Sequence, residues 1–179
     1  MMELEYIRDY VMYTAIFGMF SFIWFGWAQE NPRKNWRKYM GIASGIALLV
    51  CLIGVYLSVT NWEEATALSE MNALTTYIIV FYAQLIIGGL GAFLLTRKKK
   101  KDYVAPWIAF LVGVHFFWLV NVFDDFGLYI LAVLMIIIAV ISPRLSKRWG
   151  VTSSAITGIG SGTVLFCFAI LGLIRYLLA

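Results

Sequence analysis

Six apolar stretches, each approaching or reaching the roughly 17 to 25 residues that carry a helix across a bilayer, divide this chain of 179 residues. They lie near residues 10–27, 40–60, 74–96, 104–123, 128–142 and 154–178, and the fifth is the shortest. Runs of this length can satisfy their backbone groups in lipid only as helices, so open strands are excluded. Composition agrees: 62% of the residues are hydrophobic and 13% charged, against roughly 25% charged in soluble domains. The chain reads as an all-α polytopic membrane bundle, one transmembrane domain over 1–179 with six transmembrane helices in three antiparallel hairpins.

The net charge of +4 sits largely in three short connections. The first holds Arg33, Lys34, Arg37 and Lys38, the third Arg97 and Lys98 to Lys101, the fifth Arg144, Lys147 and Arg148. Alternate connections carry Glu63, Glu64 and Glu70, then Asp124 and Asp125, without Lys or Arg. Basic loops mark the cytoplasmic side, so both termini are expected outside. Charge placed this way serves topology, and no nucleic-acid partner is expected. Lys98, Lys99, Lys100 and Lys101 are also positioned to hold anionic lipid headgroups. The start "MMELEYIRDY" lacks the basic region and small-residue cleavage site of a signal peptide, so the first run is expected to be a genuine span. Trp27, Trp36, Tyr39, Trp62, Tyr103, Trp107 and Trp149 fall at segment ends, as interfacial aromatics do.

Pro32 and Pro143 are expected at or beyond helix ends and Pro106 in the first turn of the fourth helix, so no span is broken by proline. Cys51 and Cys167 lie in separate apolar runs without CxxC spacing, and no disulfide, metal or other cofactor is expected.

His115, the only histidine, stands inside "LVGVHFFWLVNVFDDF". At ~1.5 Å per residue it lies about 16 Å from the cytoplasmic start of its helix, and Gln84 lies about 18 Å from the cytoplasmic end of the preceding one. Across a tight hairpin the two side chains can face each other, with Cys51 about 16 Å into the second helix at the same depth. A neutral imidazole in hydrocarbon needs both its donor and its acceptor satisfied. His115 is therefore either a proton carrier or solute ligand in a cavity, or an interhelical hydrogen bond that fastens the bundle.

Asn121 and Asp125 share a helical face, and Asp124 with Asp125 crowns the outer end, either as a cation-attracting mouth or as solvated loop carboxylates. At the inner boundary Glu30 is expected to pair with Arg33 or Lys34, the alternative being a gate carboxylate. Gly41 with Gly45, Gly88 with Ala92, and Gly158 with Gly162 are spaced for close helix packing; in "GIGSG" local unwinding around a ligand is the other reading. "GIASG" puts Ser44 in a context like that of intramembrane serine proteases, but only about 6 Å from the inner surface, some 10 Å short of His115. With no HExxH or GxSxG motif, the chain is not expected to be an enzyme.

"VGVHFFWLVNVF" resembles a Gly-x-His-Phe-x-Pro-Leu-Ala motif of small bacterial multi-pass membrane proteins of unknown function. Gly113, His115, Phe116 and Leu119 match, whereas Trp118 stands for the proline and Val120 for the alanine. The resemblance covers one helix of six and implies a bacterial cytoplasmic (inner) membrane protein. The expected function is a small carrier or channel-like protein that binds or moves a small solute or proton through a pocket at His115 and Gln84, with a homodimer able to complete the path. The main alternative is a non-transporting accessory or assembly subunit, and an intramembrane enzyme comes third.

Overall fold

The computed structural model describes residues 6–179. Residues 1–5, on which part of the signal-peptide reading falls, lie outside the described residues. The chain forms six α-helices: α1 (Ile7–Trp27), α2 (Trp36–Thr60), α3 (Met71–Arg97), α4 (Val104–Phe123), α5 (Gly127–Trp149) and α6 (Ser153–Leu178). One-turn 3₁₀ segments at Ala67–Ser69 and Lys101–Tyr103 precede α3 and α4. All six helices are long and apolar enough to cross a membrane, and the fold is that of an all-α multi-pass membrane protein.

Helix ends follow local chemistry. Thr152 caps α6 by accepting from the N–H of Ala155 (3.3 Å), and Thr66 accepts from the N–H of Leu68 (3.2 Å) at the first 3₁₀ turn. Gly150 takes the left-handed conformation (φ +65°) that stops α5, and Asp124 does the same (φ +48°) after α4. The sequence places the end of the fifth span at Ser142 and Pro143 beyond it, but α5 continues through Pro143 to Trp149. Proline removes one main-chain donor without stopping the helix, and the hydroxyls of Ser142 and Ser146 bond nearby carbonyls, those of Ile138 (2.6 Å) and Pro143 (3.1 Å). Arg144, Lys147 and Arg148 thus occupy the last turns of α5 instead of a loop.

Helix α1 is the axis of the fold and packs over its length on both α2 and α6; α5 joins α6 to α4, and α4 carries α3. Consecutive helices pack together except α2 and α3, and the interfaces α1/α6 and α4/α5 are at least as extensive as α5/α6. Glycines permit the closest approaches. A Cβ on Gly54 of α2 would collide with the main chain of Ala15, and one on Gly158 of α6 would stand 2.5 Å from the carbonyl oxygen of Trp24. Ser21 of α1 donates to the carbonyl of Gly162 (2.8 Å), and Ser44 of α2 to that of Phe22 (3.1 Å). The "GIGSG" segment is continuous helix, so its glycines serve packing and not unwinding. Helix α3 packs on α4 and the 3₁₀ turn at Ala67–Ser69, has no comparable interface with α1 or α2, and has the least buried apolar window of the six.

Candidate functional site

The site lies where α3 stands off from α1. Asp9, Tyr13, Phe17, Phe20 and Trp24 recur on α1 at three- and four-residue intervals, so they form one stripe. Tyr77, Phe81 and Gln84 repeat the pattern on α3; Val112, His115, Phe116, Leu119 and Phe123 repeat it on α4. The three stripes line a cavity of about 110 Å³, of the order of the ~150 Å³ apolar cavity known to admit benzene, and it opens sideways between α1 and α3, where Phe20 and Phe81 are exposed. Leu68 of the 3₁₀ turn lines it as well, with Leu128 and Leu165 from α5 and α6.

Beyond Asp9 at the end of the α1 stripe, two polar side chains interrupt this aromatic wall. His115 and Gln84 both line the cavity, so the depth estimate brings them together. They are not hydrogen-bonded to each other. The Nδ1 of His115 and the Oε1 of Gln84 are buried without a hydrogen-bond partner among the described residues. The His115 ring meets the edge of Phe116 at 5.7 Å and contacts the main chain of Val80 on α3.

At the acidic end a wider vestibule of about 630 Å³ is lined by Tyr6, Tyr10, Asp9, Asp124, Asp125 and Arg175, among others. It shares Asp9, Tyr13 and Phe123 with the cavity, so these three side chains form the partition between the two spaces. Tyr13 meets Phe123 edge-on at 5.5 Å and stacks on Phe17 at 5.2 Å; Phe17 meets Phe116 at 5.7 Å. The partition is therefore a continuous aromatic contact.

Asp9 is 4% exposed. Its Oδ1 accepts from the Thr66 hydroxyl (2.5 Å) and its Oδ2 from the N–H of Ala67 (2.9 Å), which pins the α2–α3 connection over the cavity. Arg8 stacks on Trp62 of that connection, 3.7 Å from the ring centroid. Asp125 is held twice: Arg175 Nη1 donates to its Oδ2 at 2.6 Å, and the N–H of Gly127 donates to its Oδ1 at 2.8 Å. Asp124 is exposed on the vestibule rim.

Other expected site residues fall elsewhere. Cys51 packs against Gly18 in the α1/α2 interface and does not line the cavity. Depth along a helix says nothing about which face a residue takes, and the face of α2 that carries Cys51 is the one α1 covers. Asn121 is exposed and outside the pocket, because six residues beyond His115 amount to about 240° of helical rotation. Its expected shared face with Asp125 is lost because α4 stops at Phe123 and the chain reverses at Asp124. Glu30 is exposed and forms no ion pair among the described residues. The residues after Trp27 form a turn, so the helical spacing to Arg33 and Lys34 does not exist; Arg33 instead donates to the carbonyl of Trp149 (3.3 Å) and Arg37 to that of Gln29 (3.4 Å). Ser44 faces α1 and makes no dyad with His115. Among the described residues no three His, Cys, Asp or Glu side chains gather as a metal site requires.

Sequence reasoning missed Asp9, Tyr13 and Arg175. Asp9 begins the periodic stripe of α1, and Arg175, like Arg8, is a cation at the largely acidic end, against the charge pattern of the loops. Those two anomalies were the available signals. Comparison with known proteins finds no matching family model, no match among curated proteins and no match among solved structures. Geometry alone carries the functional argument.

Proposed function

We propose that this membrane protein is a small carrier or channel-like protein that takes a small, largely apolar solute from the vestibule into the cavity at His115 and Gln84. The observation that carries the reading is the shared partition. A polar vestibule and an aromatic cavity with two buried, unpartnered polar atoms meet at Asp9, Tyr13 and Phe123. Apolar walls with a few placed polar groups are the ordinary composition of a small-molecule site, and the pairing of Arg175 with Asp125 offers opposite charges to a dipolar solute at the mouth. In this reading the basic end faces the cytoplasm, the membrane is a bacterial inner membrane, and the partial motif around His115 marks the ligand helix.

A charged thiol reagent tests it. Gln84→Cys, in a chain with Cys51→Ser and Cys167→Ser, is expected to react from the acidic side and not from the basic side. No reaction from either side would make the cavity a sealed core and the polar pair a fastening device.

One observation favours a second reading, an accessory or assembly subunit, with a homodimer as its simplest form: Gly89 on the bare helix α3 and Gly41 and Gly45 on α2 meet nothing within 4 Å. Small residues on a lipid-facing surface suit a close helix partner. Copurification of a stable partner together with a silent Gln84→Cys would favour this reading over the first.

A further inference from the structure

At the basic end a trough of about 410 Å³ opens sideways between the end of α3, α4 and α5, with Leu95, Pro106, Phe110 and Val140 in its walls. Phe110 and Val140 are exposed, so this wall faces the bilayer's hydrocarbon. A second recess of about 190 Å³, lined by Asp102, Ser146, Lys147 and Ser153, adjoins it; Tyr103 and Pro143 line both. One half is apolar and the other polar, and Lys100 lines the apolar half where the chain leaves the membrane.

Charge favours an anion here. Lys100 and Lys147 outnumber Asp102, the one carboxylate among the described residues lining either half. Ser153 opens α6 and Gly150 closes α5, so opposite ends of two helix dipoles border the recess and offset each other, which leaves the lysines to set its sign.

We propose that this site holds one anionic phospholipid, with an acyl chain along the trough and the phosphate at the Tyr103 junction between the rims that carry Lys100 and Lys147. The binding groups for the lipid thus come from the groove and from α5, and the rest of the lysine run contributes only to the general field. A basic side chain near an anionic headgroup is worth about fivefold in affinity, so the two lysines together amount to about 25-fold.

Native mass spectrometry of the full chain, purified and exchanged with phosphatidylglycerol or phosphatidylcholine, tests the site. One phosphatidylglycerol is expected to stay bound in preference to phosphatidylcholine. Lys100→Gln with Lys147→Gln is expected to reduce its retention by about 25-fold, and Val140→Trp, which fills the trough from an exposed helix position, to reduce it with the lysines intact. Lys98→Gln with Lys99→Gln removes the same charge outside the site and is expected to reduce retention far less, by the general field alone. Equal loss in both lysine pairs, or equal retention of the two lipids, would overturn the proposal. Melting curves of each variant in detergent identify any that fail to fold, and Val140→Trp and the lysine pairs report on the site separately.

Discussion

Arg175 and Asp125, fifty positions apart in the chain, close into an ion pair at 2.6 Å where α6 meets the α4–α5 turn. Asp125 also caps α5 through the N–H of Gly127, so one carboxylate fixes both the turn and the last helix. The Asp125 side chain is 14% exposed and that of Arg175 31%. Solvent therefore screens the pair in part, and Arg175→Gln is expected to cost about 1 to 2 kcal/mol, below the ~3 to 5 of a fully buried pair. Asp125→Asn keeps an oxygen for Gly127, and adding it to Arg175→Gln is expected to recover part of the loss. A double-mutant cycle on thermal melts measures the coupling; a value near zero would mean that the contact contributes nothing to the fold.

Asp9 uses both carboxylate oxygens on the connection between α2 and α3. Asp9→Asn leaves one acceptor where there were two and turns an N–H₂ toward a donor. The 3₁₀ turn at Ala67–Ser69 is expected to loosen, with amide exchange at Ala67 and Leu68 accelerating by about tenfold or more, as loss of ~1 to 3 kcal/mol at a buried acceptor implies. Exchange in the middle of α6 is expected to stay slow. Uniform acceleration throughout would point to global destabilisation and not to release of the turn.

The span count and the meeting of His115 and Gln84 at one cavity were legible because apolar length and helix rise are properties of one segment at a time. Which face a residue shows is a property of its neighbours. Cys51 and Gln84 lie at similar depths, but α1 covers the face of α2 with Cys51, whereas the gap between α1 and α3 receives Gln84. Short-range pairing failed at Glu30 and Asn121 for a related reason, since the helical spacing it assumes ends at Trp27 and Phe123. Arg175 and Asp9 were legible only as exceptions to pattern, and their partners, Asp125 and Thr66, are set by tertiary packing.

Glycine spacing shows the same division. Gly41 with Gly45 and Gly158 with Gly162 read alike in sequence, yet a Cβ on Gly41 or Gly45 meets nothing within 4 Å, while one on Gly162 comes to 2.9 Å from the Phe25 ring and one on Gly158 to 2.7 Å from the Ala28 methyl. Gly158→Ala is expected to destabilise by about 1 to 3 kcal/mol through overpacking. Gly45→Ala is expected to be neutral or to stabilise by up to about 1 kcal/mol through helix propensity. Melting the two variants side by side checks the contrast, and a Gly45→Ala loss as large as that of Gly158→Ala would reveal a partner pressed against α2.

Tyr13 is the residue on which passage between vestibule and cavity turns. It is buried, it lines both spaces, and its ring bridges Phe17 and Phe123. Tyr13→Leu keeps an apolar body in the α1 stripe but removes the ring that closes the aromatic contact. If solute crosses here, the variant is expected to raise the rate at which a charged thiol reagent modifies Gln84→Cys from the acidic side by about tenfold, while the melting midpoint falls by no more than a core substitution of this size explains, about 1 to 3 kcal/mol. Phe110→Leu, on the trough side of α4 and remote from the partition, supplies the comparison: it is expected to leave the labelling rate unchanged. A rate unaltered by Tyr13→Leu, measured on folded protein, would place the route to Gln84 elsewhere, and the opening between α1 and α3 toward the lipid would then be the path by which a solute reaches His115.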